Sequence, residues 1–158
     1  MVRIVSLRIV IDGPSGAGKT TLAGLLADKI GADVLHLDDM YEGWTGMALG
    51  TQIAEELLAG ERDSYRPWDW ETSRRADVIT PDPEADWVIE GCGALNATTA
   101  ALADVRIWVE MEPEAARQRG LARDGEPYRR WWDVWHRQEL EHWEKNVPWE
   151  LADVVVRT

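Results

Sequence analysis

The segment Gly13-Pro14-Ser15-Gly16-Ala17-Gly18-Lys19-Thr20 constrains this chain more than any other. It follows an apolar run, Leu7–Asp12 (LRIVID), and precedes a stretch rich in leucine and alanine, Lys19–Ile30, that stops at Gly31. Small residues between a strand and a helix leave backbone N–H groups uncovered, and the helix adds the positive end of its dipole. Together they form a concavity suited to an anion. The spacing G-x-x-x-x-G-K-[ST] is matched in full, with the flanks the motif requires. A chance match arises in roughly one chain of this length in two hundred. The segment is therefore read as a phosphate-binding loop, with Gly13, Ser15, Gly16, Ala17, Gly18, Lys19, Thr20 and Thr21 as the nucleotide-binding set. Lys19 is expected to reach the β and γ phosphates, and the Thr20 hydroxyl to ligate Mg²⁺.

The pattern downstream extends this unit into a fold. Short apolar runs at Asp33–Leu37, Trp87–Glu90, Val105–Val109 and Asp153–Val156 read as further strands. Helical stretches are expected near Gln52–Ala59, at Pro113–Arg123 and at Tyr128–Lys145. Continuously apolar strands alternating with helices predict a parallel five-stranded sheet buried on both faces, in the three-layer α/β arrangement of P-loop proteins. At 158 residues, without repeats or long linkers, the whole chain reads as a single domain.

Charge and composition narrow the partners. A net charge of −12 repels nucleic acid and anionic membranes, whose protein affinity comes mainly from Lys and Arg meeting phosphate. A bound phosphate must then be held by a local device working against the global field. No run approaches the roughly 18 apolar residues of a membrane span. The opening MVRIVSLRIVID contains Asp12 and reads as strand rather than signal peptide. With Cys92 the single cysteine, no internal disulfide can form and a reducing cytoplasm is the expected compartment. Cys92 itself reads as a small buried residue.

The chain lacks the N-K-x-D run of a guanine-reading GTPase and is short for a larger ATPase. A small kinase needs only the phosphate cradle, an acceptor site with a carboxylate, and arginines over the transferring group. The carboxylates follow the second strand in His36-Leu37-Asp38-Asp39-Met40-Tyr41. Ligands of open parallel sheets sit at the carboxyl ends of strands, which aims Asp38 at the γ-phosphate region as a candidate general base. Asp39 could take that role instead or help hold the metal. His36, inside the strand, reads as structural.

On these residues the chain resembles the uridine kinase branch of the nucleoside-monophosphate-kinase-like P-loop fold. GPSGAGKTTLA, the D-D-M-Y segment, and Val88-Ile89-Glu90-Gly91 before a small-residue turn carry the resemblance. It implies Asp38 as the base, Tyr41 near the acceptor, and Glu90 as the acid that orients a Mg²⁺-bound water. Met40 stands where that family has phenylalanine. The resemblance also implies an arginine-bearing lid over about residues 113–127. There Arg119 and Arg123 form an i,i+4 pair able to clamp ATP phosphates, within a local cluster that includes Arg117, Arg129 and Arg130. Uridine kinases are longer and carry a β-hairpin region after the D-x-F-Y segment; this chain has Glu42-Gly43-Trp44 and then Tyr65-Arg66-Pro67-Trp68-Asp69-Trp70.

Those aromatics, Trp44 and Trp68 among them, could stack on a base or sugar while Arg66 and Asp69 bond its hydroxyls, or they could fill the core. Ten tryptophans and no phenylalanine give large apolar faces, each with an N–H to satisfy. Tyr128, Trp132, Trp135 and Trp143 fall near helical spacing, which predicts a tryptophan-faced helix packed on the sheet. His136 and His142 lack metal-ligand spacing, so no structural metal is expected. The favoured expectation is MgATP-dependent phosphoryl transfer to the hydroxyl of a nucleoside or similar small alcohol. A nucleoside monophosphate kinase would need Arg66, Arg74 and Arg75 around the acceptor phosphate. A nucleotide-binding regulator without phosphotransfer is the third alternative.

Overall fold

A computed structural model describes residues 6–158. The part of the expected first strand that falls on residues 1–5 lies outside the described residues. Five parallel strands form the central sheet: β1 (Arg8–Asp12), β2 (Asp33–His36), β5 (Trp87–Glu90), β6 (Val105–Glu110) and β7 (Val154–Arg157). Their spatial order is β2-β5-β1-β6-β7, so the phosphate-loop strand lies at the centre. Register puts Val10 beside Ile89 and Arg106, and Ile11 beside Glu90 and Ile107.

Because side chains alternate across a strand, the apolar runs divide between two cores. Ile9, Ile11, Val88, Ile107 and Val109 pack with Ala23 and Ala27 of α1 (Lys19–Ile30) on one face. Val10, Leu35, Trp87 and Ile89 face the opposite layer, built by α2 (Met47–Ala59), α3 (Ala97–Leu102) and α5 (Glu126–Asn146). The expected parallel sheet with helices on both faces is therefore present. The remaining helices are α4 (Pro113–Asp124) and α6 (Pro148–Leu151). No helix among the described residues is long and apolar enough to cross a membrane.

Several expectations change in detail. Leu37 opens a 3₁₀ turn, Leu37–Asp39, instead of closing β2. Helix α2 begins at Met47, five residues before the expected Gln52, because Gly50 is where the Tyr41 ring presses on it; a Cβ there would lie 2.4 Å from the ring. Helix α3 is short, but Asn96 and Thr99 form a reciprocal capping box that the sequence does display. A small hairpin, β3 (Trp68–Asp69) against β4 (Arg74–Arg75), stands where none was expected. The tryptophan-faced helix is present as α5, with Tyr128 and Trp135 buried and Trp132 and Trp143 half-buried.

Candidate active site

The phosphate loop is shaped by contacts that glycine alone permits. Gly16 and Gly18 have φ of 83° and 97°, in the left-handed region. A Cβ on Gly16 would stand 2.0 Å from the Ala116 carbonyl oxygen of α4. Gly13 is pressed against the Val109 carbonyl in the same way, at 2.5 Å. No side chain caps the start of α1, so its first-turn N–H groups are open to a ligand.

Two buried carboxylates anchor the loop from beneath. Asp12 accepts hydrogen bonds from the backbone N–H of Gly13 (2.7 Å), Gly93 (3.1 Å) and Leu95 (3.0 Å). It also lies 2.7 Å from His142 Nε2, whose other ring nitrogen meets Asn146 at 2.9 Å. Glu139, 1% exposed, accepts the Ser15 N–H at 2.9 Å and lies 3.2 Å from His136 Nδ1. Helix α5, more than a hundred residues downstream, thus grips the start of the loop through Asp12 and Ser15.

Lys19 is buried and its ammonium donates to the Pro14 carbonyl at 2.7 Å. Burial works against its charge, yet the acids around it, Glu90, Glu139 and Asp12 among them, outweigh that cost and hold its pKa above the ordinary value. The Thr20 hydroxyl donates to Glu90 Oε1 at 3.0 Å, and His36 Nδ1 reaches the same oxygen at 2.7 Å. His36 is raised above the usual histidine range, chiefly by that hydrogen bond. Threonine hydroxyl and carboxylate are hard oxygen donors of the kind Mg²⁺ takes alongside phosphate and water. No cluster of three or more His, Cys, Asp or Glu side chains among the described residues could hold a metal alone. A cation here would lean on its nucleotide.

These groups open onto one cleft of about 1140 Å³. From the nucleotide-binding set it takes Ser15, Gly16, Gly18, Lys19, Thr20 and Thr21 into its lining. Gly13 and Ala17 shape the loop from within the fold and do not line the cleft. Asp38 and Asp39 enter on the 3₁₀ turn, Glu90 from the end of β5, and Arg119 and Arg123 from α4. Asp38 is exposed to the open cleft, and the surrounding cleft walls together with Glu90 push its carboxyl above the usual range, against the pull of Lys19, Arg123 and His36. Arg119 sits beside Gly18, where a Cβ would touch its guanidinium at 3.6 Å. Arg123 makes a two-pronged bond to Asp124 at 2.8 and 3.0 Å.

The expected acceptor residues divide. Tyr41 and Trp44 line the cleft, although the Tyr41 hydroxyl is spent on the Cys92 carbonyl and its ring is buried. Arg66, Trp68 and Asp69 are not brought to the cleft. Arg66 donates to the carbonyls of Ala76 and Arg75, Asp69 caps the N–H groups of Glu71 and Thr72, and Trp68 lies under Arg75. All three build the small hairpin, and the hairpin delivers Trp70 and Glu71 to the cleft instead. Cys92 is buried at the cleft wall with its thiol pushed far up by burial, as a structural cysteine should be. Trp70 is the one aromatic of the Tyr65–Trp70 segment that does line the cleft, and the residues sequence reasoning missed include Asp12, Glu139, His142 and Glu71.

An AAA domain family model matches residues 9–152, from the first residues of β1 through α6. The chain belongs to the AAA domain family. Among similar family-sized proteins, a uridine kinase of Halobacterium salinarum is 31% identical over 144 aligned residues, covering 77% of this chain and 64% of that protein. A cytidylate kinase of Archaeoglobus fulgidus is 27% identical, covering 75% and 63%. This AAA-domain chain therefore spans less than two thirds of the length of these curated relatives. A structure from Bacillus stearothermophilus, described as a "possible uridine kinase", superposes with a TM-score of 0.64 at 21% identity over 99% of this chain and 91% of that one. At that identity the likeness concerns the fold, and the fold is the parallel P-loop sheet described above.

Proposed function

We propose that this protein is a Mg²⁺-dependent phosphotransferase that moves the γ-phosphoryl group of ATP to a hydroxyl of a small alcohol of the nucleoside class. The carrying observation is the convergence of Lys19, Thr20 with Glu90, Asp38 and Arg119 on one cleft. The relative named uridine kinase supports a nucleoside hydroxyl as acceptor, while the one named cytidylate kinase supports phosphoryl transfer but fits a monophosphate acceptor.

In this reading the open N–H groups of the loop and first turn of α1 hold the β and γ phosphates, and Lys19 spans them. Thr20 and Glu90 would hold Mg²⁺, which neutralises the phosphate oxygens when bound. Asp38 accepts the proton of the acceptor hydroxyl as its oxygen bonds to the γ-phosphorus. The bond from that phosphorus to the bridging oxygen breaks, and ADP leaves with the electron pair. Arg119 and Arg123 cover the charge on the transferring group, with residues 113–127 working as a lid. The acceptor stands near Asp39, Tyr41 and Trp44.

A monophosphate acceptor fits the site less well. It would need arginines at its phosphate, but Arg66 and Arg75 are engaged with backbone carbonyls and Arg74 does not line the cleft. The test is coupled turnover: ATP consumption with a phosphorylated product in a panel of nucleosides and small alcohols. ATP binding with silence across the whole panel would favour a nucleotide-binding regulator.

A further inference from the structure

Three elements meet beside the phosphate loop. Helix α4 is seated directly on it: a Cβ on Gly16 would lie 2.0 Å from the Ala116 carbonyl oxygen and 2.9 Å from the Gly120 nitrogen. Gly120 in turn leaves room for α5, since a Cβ there would stand 2.3 Å from the Tyr128 hydroxyl oxygen. Ser15 closes the junction from the loop side, its N–H held by Glu139.

One polar group at this junction is unsatisfied. The Tyr128 hydroxyl has no hydrogen-bond partner among the described residues, although the residue is only 2% exposed. Burial pushes its phenol up to about 12, so it keeps its proton at neutral pH and can donate it. The ring is fixed independently of the hydroxyl, edge-on to Trp44 at 6.3 Å and against Trp132 at 5.3 Å. A buried O–H without an acceptor is costly and uncommon, which marks it as a group whose partner arrives with a ligand. Ser15 is near enough for its side chain to act on the phenol, short of a completed hydrogen bond. Both residues line the cleft. Arg123 acts on Tyr128 and on Asp38 alike, which puts the Tyr128–Ser15 pair on the side of the loop that faces the candidate base.

We propose that Tyr128 is a positioning residue for the γ-phosphate of a bound nucleoside triphosphate. With the triphosphate in the loop, the Ser15 hydroxyl donates to a γ-phosphate oxygen and accepts the Tyr128 O–H behind it. Hydrogen bonds in such a chain polarise one another, and the one that ends on the phosphate is charge-assisted. A diphosphate offers no γ oxygen and leaves the phenol unpaired. The inference rests on nucleotide binding at the loop, as in the reading above, and deepens it by naming what separates triphosphate from diphosphate.

Tyr128→Phe removes the hydroxyl and keeps the ring. Without nucleotide, its melting temperature should rise by about 2 °C or more, because an unpaired buried donor is gone. Calorimetric titration with Mg²⁺ should show β,γ-methylene ATP bound about fivefold more weakly, while ADP changes less than about twofold. Ser15→Ala should give a similar selective loss, and adding Tyr128→Phe to it should cost no more than about a further twofold. If Ser15→Ala does not fold, the split between the two nucleotides in Tyr128→Phe carries the comparison. An unchanged or lower melting temperature for Tyr128→Phe would show that the free protein already satisfies the hydroxyl, and would overturn the proposal. So would equal losses for both nucleotides, no loss for the triphosphate analogue, or losses that multiply in the double variant. The kinase reading fails by a different route: silence on every acceptor with these splits intact would remove the kinase and keep the role of Tyr128. Nucleotide binding untouched by Lys19→Ala would remove both.

Discussion

At the residue scale, Asp38 concentrates the chemistry. Replacing it with asparagine removes the proposed proton acceptor and leaves the phosphate loop intact. Turnover should fall by on the order of 10²–10⁴ while ATP affinity changes little, read as kcat against KM. Its raised pKa sets the sign of two pH effects. As the proposed base, Asp38 must be ionised to accept a proton, so kcat should climb with pH through a value above the ordinary aspartate range. For stability, the folded protein keeps this proton to higher pH than the unfolded chain does. Stability therefore declines as pH rises through the window between the ordinary and the raised pKa. Asp38→Asn escapes that decline and should melt higher than the unmodified protein at neutral pH. Near about pH 3, where both states are protonated, the two melting curves should coincide. A melting point for Asp38→Asn equal to the parent's at both pH values would contradict a destabilising charge on this carboxylate.

At the scale of elements, the loop between β1 and α1 depends on two helices from the far end of the chain. Gly16 has a left-handed backbone and touches the Ala116 carbonyl of α4. Gly16→Ala should cost roughly 1–3 kcal/mol or more from strain and displaced backbone, with nucleotide affinity lost alongside, as thermal melts and titration would show. Helix α5 supplies Glu139 to the Ser15 N–H. Glu139→Ala leaves a buried donor unpaired, a penalty of about 1–3 kcal/mol, and should raise the KM for ATP more than it lowers kcat. Glu139→Gln keeps an oxygen acceptor and should recover most of both. Equal impairment of the two variants would show that the negative charge, and not an oxygen acceptor for the Ser15 N–H, is what Glu139 provides. The motif residues and the strand–helix alternation were visible in sequence because each is a local pattern. The grip of α5 was not, since Ser15 and Glu139 lie 124 positions apart and nothing periodic joins them. The hairpin shows the same limit: Arg66, Trp68 and Asp69 have the chemistry of ligand contacts, yet short-range backbone bonds consume it.

At the scale of the whole molecule, the charge of −12 surrounds an anion-binding site. The global field repels MgATP while Lys19 and Arg119 attract it at close range. Screening acts on the distant charges first. Raising ionic strength from about 20 mM to about 200 mM, which shortens the Debye length about threefold, should therefore speed association of an ATP analogue or leave it unchanged. Stopped-flow tryptophan fluorescence can follow this, given Trp44, Trp70 and Trp135 at the cleft. An association rate that falls steeply with salt would place the controlling charges elsewhere. The amino-acid sequence alone determined the phosphate loop, the parallel sheet and the acids after β2, because each is written within a few consecutive residues or one repeating period. Tertiary structure alone decided which acids support the loop and which tryptophans reach the cleft. Those outcomes depend on packing between segments distant in the chain, where a side chain's neighbours are set by the folded geometry and not by its position in the sequence.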